Sequence, residues 1–101
     1  MVISMEQKQP ADLRDLCNAL LLLKTPQECQ ALLEDLCTIR ELQDISQRLA
    51  VAKMLDSGRN YAEIASETGA SSATISRVNR CLQYGSRGYR LVLDRMQEAN
   101  K

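Results

Sequence analysis

The chain contains no phenylalanine, no tryptophan and no histidine, and only three tyrosines among its 101 residues. The apolar fraction of 45% must therefore come mainly from Leu, Ile, Val, Ala, Met and Cys. Leu and Ala are strong helix formers, and the clusters of Val, Ile and Thr that are typical of strands are missing. These features predict an all-α fold in a single domain.

The absence of histidine also removes a frequent metal ligand and a frequent general base. No two of the four cysteines form a CxxC pair; they are Cys17, Cys29, Cys37 and Cys81. We therefore predict no metal site and no disulfide framework, but buried or half-buried thiols in a reducing cytoplasm. Because the chain also lacks a glycine-rich phosphate loop and a Cys–His pair, we expect neither enzyme activity nor a cofactor.

Long hydrophobic runs are missing as well. The longest, residues 19–23, is far too short to cross a bilayer, and the opening MVISMEQKQP lacks the features of a signal peptide. We predict a cytoplasmic protein that does not use a membrane as a partner. Residues 1–9 are interpreted as a flexible N-terminal extension, with Met5 as an alternative start to Met1, and residues 10–101 as the helical domain.

The charges balance in number but not in position. The net charge is zero, yet residues 1–57 hold six basic and nine acidic side chains, whereas residues 58–101 hold seven and four. From residue 68 to residue 93 there is no acid and there are four arginines, namely Arg77, Arg80, Arg87 and Arg90. A local basic patch of this kind suits an anionic partner even on a neutral protein.

Apolar residues at spacings of three and four predict six helices, at about residues 10–24, 26–37, 39–57, 61–68, 72–83 and 89–97. Three helix starts combine a capping side chain with a glutamate three residues later: Thr25 with Glu28, Thr38 with Glu41, and Asn60 with Glu63. Gly58 is predicted as the left-handed residue that ends the third helix. The sequence YGSRG, residues 84–88, is typical of a turn.

Four consecutive leucines, residues 20–23, fall at the end of the first predicted helix. They cover every side of a helix, and a helix that is apolar all round must be buried all round. An ordinary core helix of one chain is the alternative, but 101 residues in short helices can hardly enclose it. The sequence therefore predicts a homodimer in which a second copy covers these leucines.

The stretch YAEIASETGASSATISRVNR, residues 61–80, fits two helices joined by a three- or four-residue turn, which is the helix-turn-helix plan. Ala65 is small enough for close helix packing, and Gly69 can adopt a positive φ without a Cβ penalty. The apolar positions that would face the core are Ile64, Ala70, Ile75 and Val78. The positions expected on the exposed surface of the second helix are Ser71, Ser72, Ala73, Thr74, Ser76, Arg77 and Arg80.

The side chains expected on this exposed surface have the chemistry of a DNA-reading surface. Hydroxyl groups reach base edges or phosphates, and Arg77 and Arg80 can neutralise phosphates or pair with guanine. Two alternatives stay open: a helical hairpin that only packs, with its serines as solvated caps, and a helical protein-interaction module without DNA binding. The leading hypothesis is a sequence-specific regulator that binds double-stranded DNA.

Residues 38–82 resemble the Trp repressor superfamily, in its bacterial YerC/YecD-type branch. The resemblance rests on LCTIRELQDISQRLAVAKMLDSG, residues 36–58, followed by YAEIASETGASSATISRVNRCL, residues 61–82. It implies an all-α, intertwined homodimer in which the N-terminal helices of two chains wrap around each other. It also implies transcription regulation, as a repressor, with the second helix of residues 61–80 reading operator DNA.

The resemblance further assigns a ligand pocket. Arg48 and Arg77 match the two arginines between which the Trp repressor holds tryptophan, and Thr38 matches a carboxylate-binding threonine. However, Val78 stands where a glycine makes room for the indole, and Cys81 stands where a serine contacts the amino group. We therefore expect no response to tryptophan: either a smaller effector binds in a reshaped pocket, or Val78 fills it and both arginines act structurally or on phosphate.

Overall fold

A computed structural model describes residues 10–100, with side chains from residue 13 onward. This part of the chain consists of helices and turns without strands, which confirms the all-α prediction. The bounds are α1 Pro10–Leu20, α2 Pro26–Leu36, α3 Ile39–Asp56, α4 Tyr61–Thr68, α5 Ser72–Tyr84 and α6 Gly88–Ala99. The flexible extension and the alternative start, residues 1–9, lie outside the described residues. None of the described helices is both long and apolar enough to cross a membrane.

The chain divides into two compact units, residues 1–39 and residues 40–101. The first unit contains α1 and α2, and its clearest local signal is the start of α2. Thr25 is the N-cap, and its hydroxyl accepts the N–H of Glu28 at 3.1 Å. The Glu28 carboxylate reaches back one residue further than the cap and accepts the N–H of Lys24 at 2.8 Å. Thr25 therefore caps α2 as the sequence predicted, whereas Glu28 accepts from the residue before the cap instead of from the cap itself.

The predicted extent of α1 was wrong, because the helix ends at Leu20 rather than near Lys24. The N–H groups of Leu22 and Leu23 bond to carbonyls only three residues earlier, which tightens the chain into turns. Thr25 precedes a proline, which disfavours helical backbone, and it is extended with φ −134° and ψ 158°. Three of the four consecutive leucines thus follow the helix. The prediction of a homodimer therefore cannot rest on a helix that is apolar on all sides.

The core of the second unit lies among α3 to α6. Its buried members are Val51, Ala52, Ile64, Ala70, Ile75, Val78 and Leu93. Leu82 and Tyr89 pack against this cluster while remaining partly exposed. Since large aromatic side chains are scarce, aliphatic residues at helical spacing supply the apolar contacts, and each buried Val, Ile or Leu contributes on the order of 1.5–3 kcal/mol.

The joints between these helices follow the capping chemistry of the sequence. Gly58 ends α3 with φ +83°, as predicted. Asn60 and Glu63 form a complete capping box at the start of α4, with bonds of 2.9 and 3.1 Å. The bond from the Asn60 N–H, together with nearby Arg59, lowers the pKa of Glu63. Gly85 is required for space, because a Cβ there would lie 2.5 Å from the carbonyl oxygen of Cys81.

Arg90 does not belong to a free basic patch, contrary to the sequence-based interpretation. Its guanidinium group binds both carboxylate oxygens of Asp56 at 2.8 and 2.9 Å and also pairs with Asp94 at 3.0 Å. The two-bond contact joins the end of α3 to α6. Hydrogen bonding from Arg90 lowers the pKa of Asp56, and Asp56 in turn raises the pKa of Arg90. Arg90 therefore stabilises the fold through these ion pairs and does not contribute a free positive charge.

Replacing Asp56 by Asn should lower the Tm by several degrees at neutral pH. The variant should also lose less of its Tm than the wild type as the pH is lowered. The pKa of Asp56 is lowered in the folded state, so its stabilisation is present above about pH 4 and is lost as the pH falls below that value. Thermal unfolding between about pH 2 and pH 7 measures the effect. Asp35→Asn, on the exposed surface of α2, is the control; equal curves for both variants would contradict the prediction.

Candidate nucleic-acid interface

Helices α4 and α5 are joined by a turn of three residues, 69–71. Gly69 ends α4 in the left-handed conformation, φ 75°, and its N–H bonds to the carbonyl of Ala65 at 2.9 Å. Ser71 is extended and caps α5, since its hydroxyl accepts the N–H of Thr74 at 3.1 Å. Ser72 is therefore the first helical residue of α5.

The inner side of this hairpin is packed as predicted. Ile64 and Ile75 are fully buried, and Ala70 and Val78 retain 4% and 2% of their exposed surface. Ala65, the small residue expected to let the helices approach, is half-buried against the core. The orientation of α5 is thereby fixed, because a rotation of the helix would move Ile75 and Val78 into water.

The outer side of α5 is polar and exposed. Ser72, Ala73, Ser76, Arg77 and Arg80 are all exposed, as is the capping Ser71, whereas Thr74 is half-buried. The Ser71 hydroxyl lies 3.1 Å from that of Thr74. Residues 73, 76, 77 and 80 are separated by three, one and three positions, so they form one stripe along the helix. Small side chains thus occupy the start of the stripe, and two guanidinium groups follow.

The positive charge of this stripe is not neutralised within the described residues. Arg77 and Arg80 form no salt bridge there. The glutamates of α4 are occupied elsewhere, because Arg59 binds Glu63 and Glu67. Arg77 and Arg80 are therefore available to an external anion.

A cleft of about 360 Å³ lies beside α5, with walls from α3 and α6. We call it the α3–α5 cleft; it is lined by Arg40, Asp44, Gln47, Arg48, Thr74, Arg77, Val78, Cys81 and Tyr89. It brings together four of the five residues that the resemblance assigned to a pocket. The fifth, Thr38, lies between α2 and α3 in the first unit and is not in the lining.

Four residues of this lining were not identified from the sequence, namely Arg40, Asp44, Gln47 and Tyr89. Arg40, Asp44, Gln47 and Arg48 follow one another at helical spacing, and Arg40 pairs with Asp44 at 3.5 Å. This periodic polar face of α3 could have been found from the sequence. Tyr89 could not, because 41 positions separate it from Arg48 and only the packing of α6 brings it to the cleft.

Tyr89 remains protonated at neutral pH. Burial raises its pKa, and the nearby Cys81 adds to this effect, while Arg48 and Arg77 oppose it. The tyrosine hydroxyl can therefore donate a hydrogen bond beside two guanidinium groups. The cleft is lined by three arginines and by the hydroxyls of Thr74 and Tyr89. Its one carboxylate, Asp44, pairs with Arg40, so cationic donors remain in excess and suit a small anionic group.

The cysteines differ in part from the sequence-based prediction. All four are free thiols; Cys29 and Cys37 are half-buried, as expected, but Cys17 and Cys81 are exposed in the single chain. They were expected inside because they fall in apolar helical patterns, yet Cys17 lies on the exposed surface of α1 and Cys81 lines the α3–α5 cleft. Among the described residues, no group of three or more potential ligands could hold a metal ion.

The geometry of α4, the turn and α5 defines a helix-turn-helix protein, and comparison with known proteins gives its family. The family model described as Trp repressor protein matches residues 11–97. The chain is 53% identical over 87 residues to the uncharacterized protein YerC of Bacillus subtilis, covering 86% of this chain and 84% of that protein. The chain therefore belongs to the Trp repressor family, which confirms the resemblance read from the sequence.

Two crystal structures have the same fold. One, described as a candidate Trp repressor from Staphylococcus aureus, superposes with a TM-score of 0.84 at 48% identity, covering 95% of this chain and 96% of that chain. The other, a TrpR-like protein from Eubacterium eligens, gives a TM-score of 0.83 at 49% identity and covers 91% and 94%. The six-helix fold is thus shared over nearly the whole chain.

Proposed function

We propose that the protein is a homodimeric, sequence-specific DNA-binding regulator of transcription, acting as a repressor, and not an enzyme. The observation that carries this proposal is the exposed stripe of α5, where Ser72, Ala73 and Ser76 are followed by the unpaired Arg77 and Arg80. Membership in the Trp repressor family supports it.

The start of α5 would enter the major groove. Small residues at positions 71–73 allow the backbone to approach the bases, and the hydroxyls of Ser72, Thr74 and Ser76 can contact base edges or phosphates. Arg77 and Arg80 lie further along the same face and would bind phosphates or guanine. Hydroxyl contacts would then contribute to sequence preference, while the arginines would supply most of the affinity.

The homodimer would cover apolar surface that one chain leaves exposed. Leu21 and Leu22 are 82% and 76% exposed in the first unit. In the second unit, an apolar groove of about 620 Å³ includes Ile45, Leu49 and Val92 in its lining. Apolar surface of this extent is typical of an interaction site. A two-fold dimer would present two α5 helices to successive major grooves, about 34 Å apart.

A protein-interaction module without DNA binding is the second candidate. It would be favoured by exposed leucine or methionine around α5. The outward stripe of α5 instead carries serine, alanine and arginine, while the exposed leucines lie mainly on α1 and in the turn after it. The charge and polarity of α5 therefore favour nucleic acid as the partner of this face.

Selection of bound duplexes from a random pool tests the proposal. A homodimeric reader should enrich a palindrome whose half-sites lie about one helical turn apart. Binding should weaken steeply and linearly on a log–log plot against salt, because several phosphates are neutralised. A pool that shows no enrichment, together with no binding at low salt, would contradict the assignment.

We also propose the α3–α5 cleft as the site of a small anionic effector rather than of tryptophan. Arg48 and Arg77 would hold the anionic group, with the Tyr89 hydroxyl as a further donor. Val78 forms part of the wall without closing the cleft, which favours a ligand smaller than an indole.

Tryptophan at millimolar concentration should leave the Tm of the protein unchanged. Val78 takes the place of a glycine beside the indole position, and overpacking a tight site costs about 1–3 kcal/mol. A thermal-shift titration measures the effect, and a rise of several degrees would contradict the prediction. Val78→Ala, which removes two methyl groups from the wall, is the informative variant: a tryptophan-dependent rise in this variant alone would identify Val78 as the cause.

A further inference from the structure

The carbonyl group at the end of α4 has an unusual partner. The last carbonyls of a helix lack partners within the helix, and that of Ala65 is satisfied by the Gly69 N–H. The carbonyl of Thr68, the last residue of α4, accepts a hydrogen bond of 3.1 Å from the side-chain amide of Gln47. Gln47 belongs to α3 and lies 21 positions earlier in the chain. This partly buried contact ties the helix-turn-helix to the preceding helix.

The Thr68 side chain makes two hydrogen bonds to the backbone on either side of it. Its hydroxyl donates to the carbonyl of Ile64 at 2.7 Å and accepts the N–H of Ala70 at 3.1 Å. Ile64 and Ala70 are both buried in the core. Thr68 is therefore bound by its backbone to α3 and by its side chain to both sides of the turn, and a shift of this residue would move the turn with it.

We propose that Gln47 is a positioning residue for DNA reading, acting through Thr68. The N-cap of α5, Ser71, follows Thr68 by three residues, so the bond from Gln47 sets where the reading end of α5 begins relative to α3. This inference rests on the proposed function, because its consequence is the placement of residues 71–73 against the bases. Gln47 donates to protein backbone and contributes no charge, so its role differs from that of Arg77 and Arg80.

The test compares Gln47→Met with wild-type protein. Methionine keeps the length of the side chain and removes the N–H donor. Affinity for the selected duplex should fall about tenfold, the effect of about one hydrogen bond, whereas affinity for unrelated duplex and the salt slope should not change. Gln43→Met, an exposed position four residues earlier on α3, is the matched control and should bind like wild type.

Amide hydrogen exchange gives a readout that does not depend on DNA. In Gln47→Met, exchange should become faster at the amides of Ala70 and Thr74 and stay unchanged in α6. Equal exchange and equal duplex affinity in Gln47→Met and wild type would overturn the inference while leaving the proposed function intact. A changed salt slope would overturn it in favour of a direct phosphate contact. Wild-type protein that binds no duplex would overturn the proposed function, and the DNA role of Gln47 with it.

Discussion

The double variant Arg77→Ala/Arg80→Ala is expected to lose specific duplex binding at physiological salt. In a homodimer these substitutions remove four cationic side chains, none of which is paired with an acid among the described residues. Each phosphate contact contributes about 0.9 to the slope of log affinity against log salt. If all four meet phosphate, the slope should become shallower by about 3.6, and by about half of that for Arg80→Ala alone. Fluorescence anisotropy at several salt concentrations measures both.

Arg95→Ala is the matched control for this loss. Arg95 is exposed on α6 and has no salt bridge among the described residues, but it lies away from α5 in sequence and on a different helix. It should retain the affinity and slope of the wild type. If Arg80→Ala weakens all sequences alike, Arg80 meets phosphate only; a loss restricted to one base pair would identify a guanine contact. An unchanged slope in the double variant would refute the assignment of this face.

The double variant Leu21→Glu/Leu22→Glu should convert a homodimer into monomers. Both leucines are largely exposed in the single chain, so glutamate should disturb the isolated subunit little. In a dimer that covers them, each leucine contributes about 1.5–3 kcal/mol, and four are lost per dimer together with the cost of burying carboxylates. The dissociation constant should rise more than about a thousandfold. Sedimentation equilibrium at micromolar concentration would detect the change.

The double variant Leu21→Met/Leu22→Met is the control, because it changes the shape of both side chains while keeping them apolar. Methionine keeps an apolar side chain of similar volume, and such exchanges cost less than about 1.5 kcal/mol, so this variant should remain dimeric. Specific duplex binding should fall in the glutamate variant only, because a monomer presents one α5 helix instead of two. A wild-type protein that sediments as a monomer, or a glutamate variant that remains dimeric, would contradict the role given to these leucines.

The helix starts and the helix-turn-helix could be predicted because their determinants lie close together in the chain. Asn60 and Glu63 satisfy each other's backbone groups across three residues, and the turn at Gly69 needs only one position of positive φ. The family likewise follows from a nearly continuous pattern in residues 36–82, which the family match confirmed. The end of α1 was misjudged, since apolar composition at residues 20–23 concealed a change of hydrogen bonding from four to three residues apart.

The sequence by itself determined the helical composition, the local caps and the alternation of inward and outward residues along α5. These depend on interactions within about one helical turn, where spacing in the chain equals spacing in the molecule. Only the tertiary structure decided which arginines are free, because Arg90 meets Asp56 across 34 positions. It also brought Tyr89 to the α3–α5 cleft and Gln47 to Thr68. Such contacts depend on how helices pack, and the periodicity of one helix does not identify its neighbour in space.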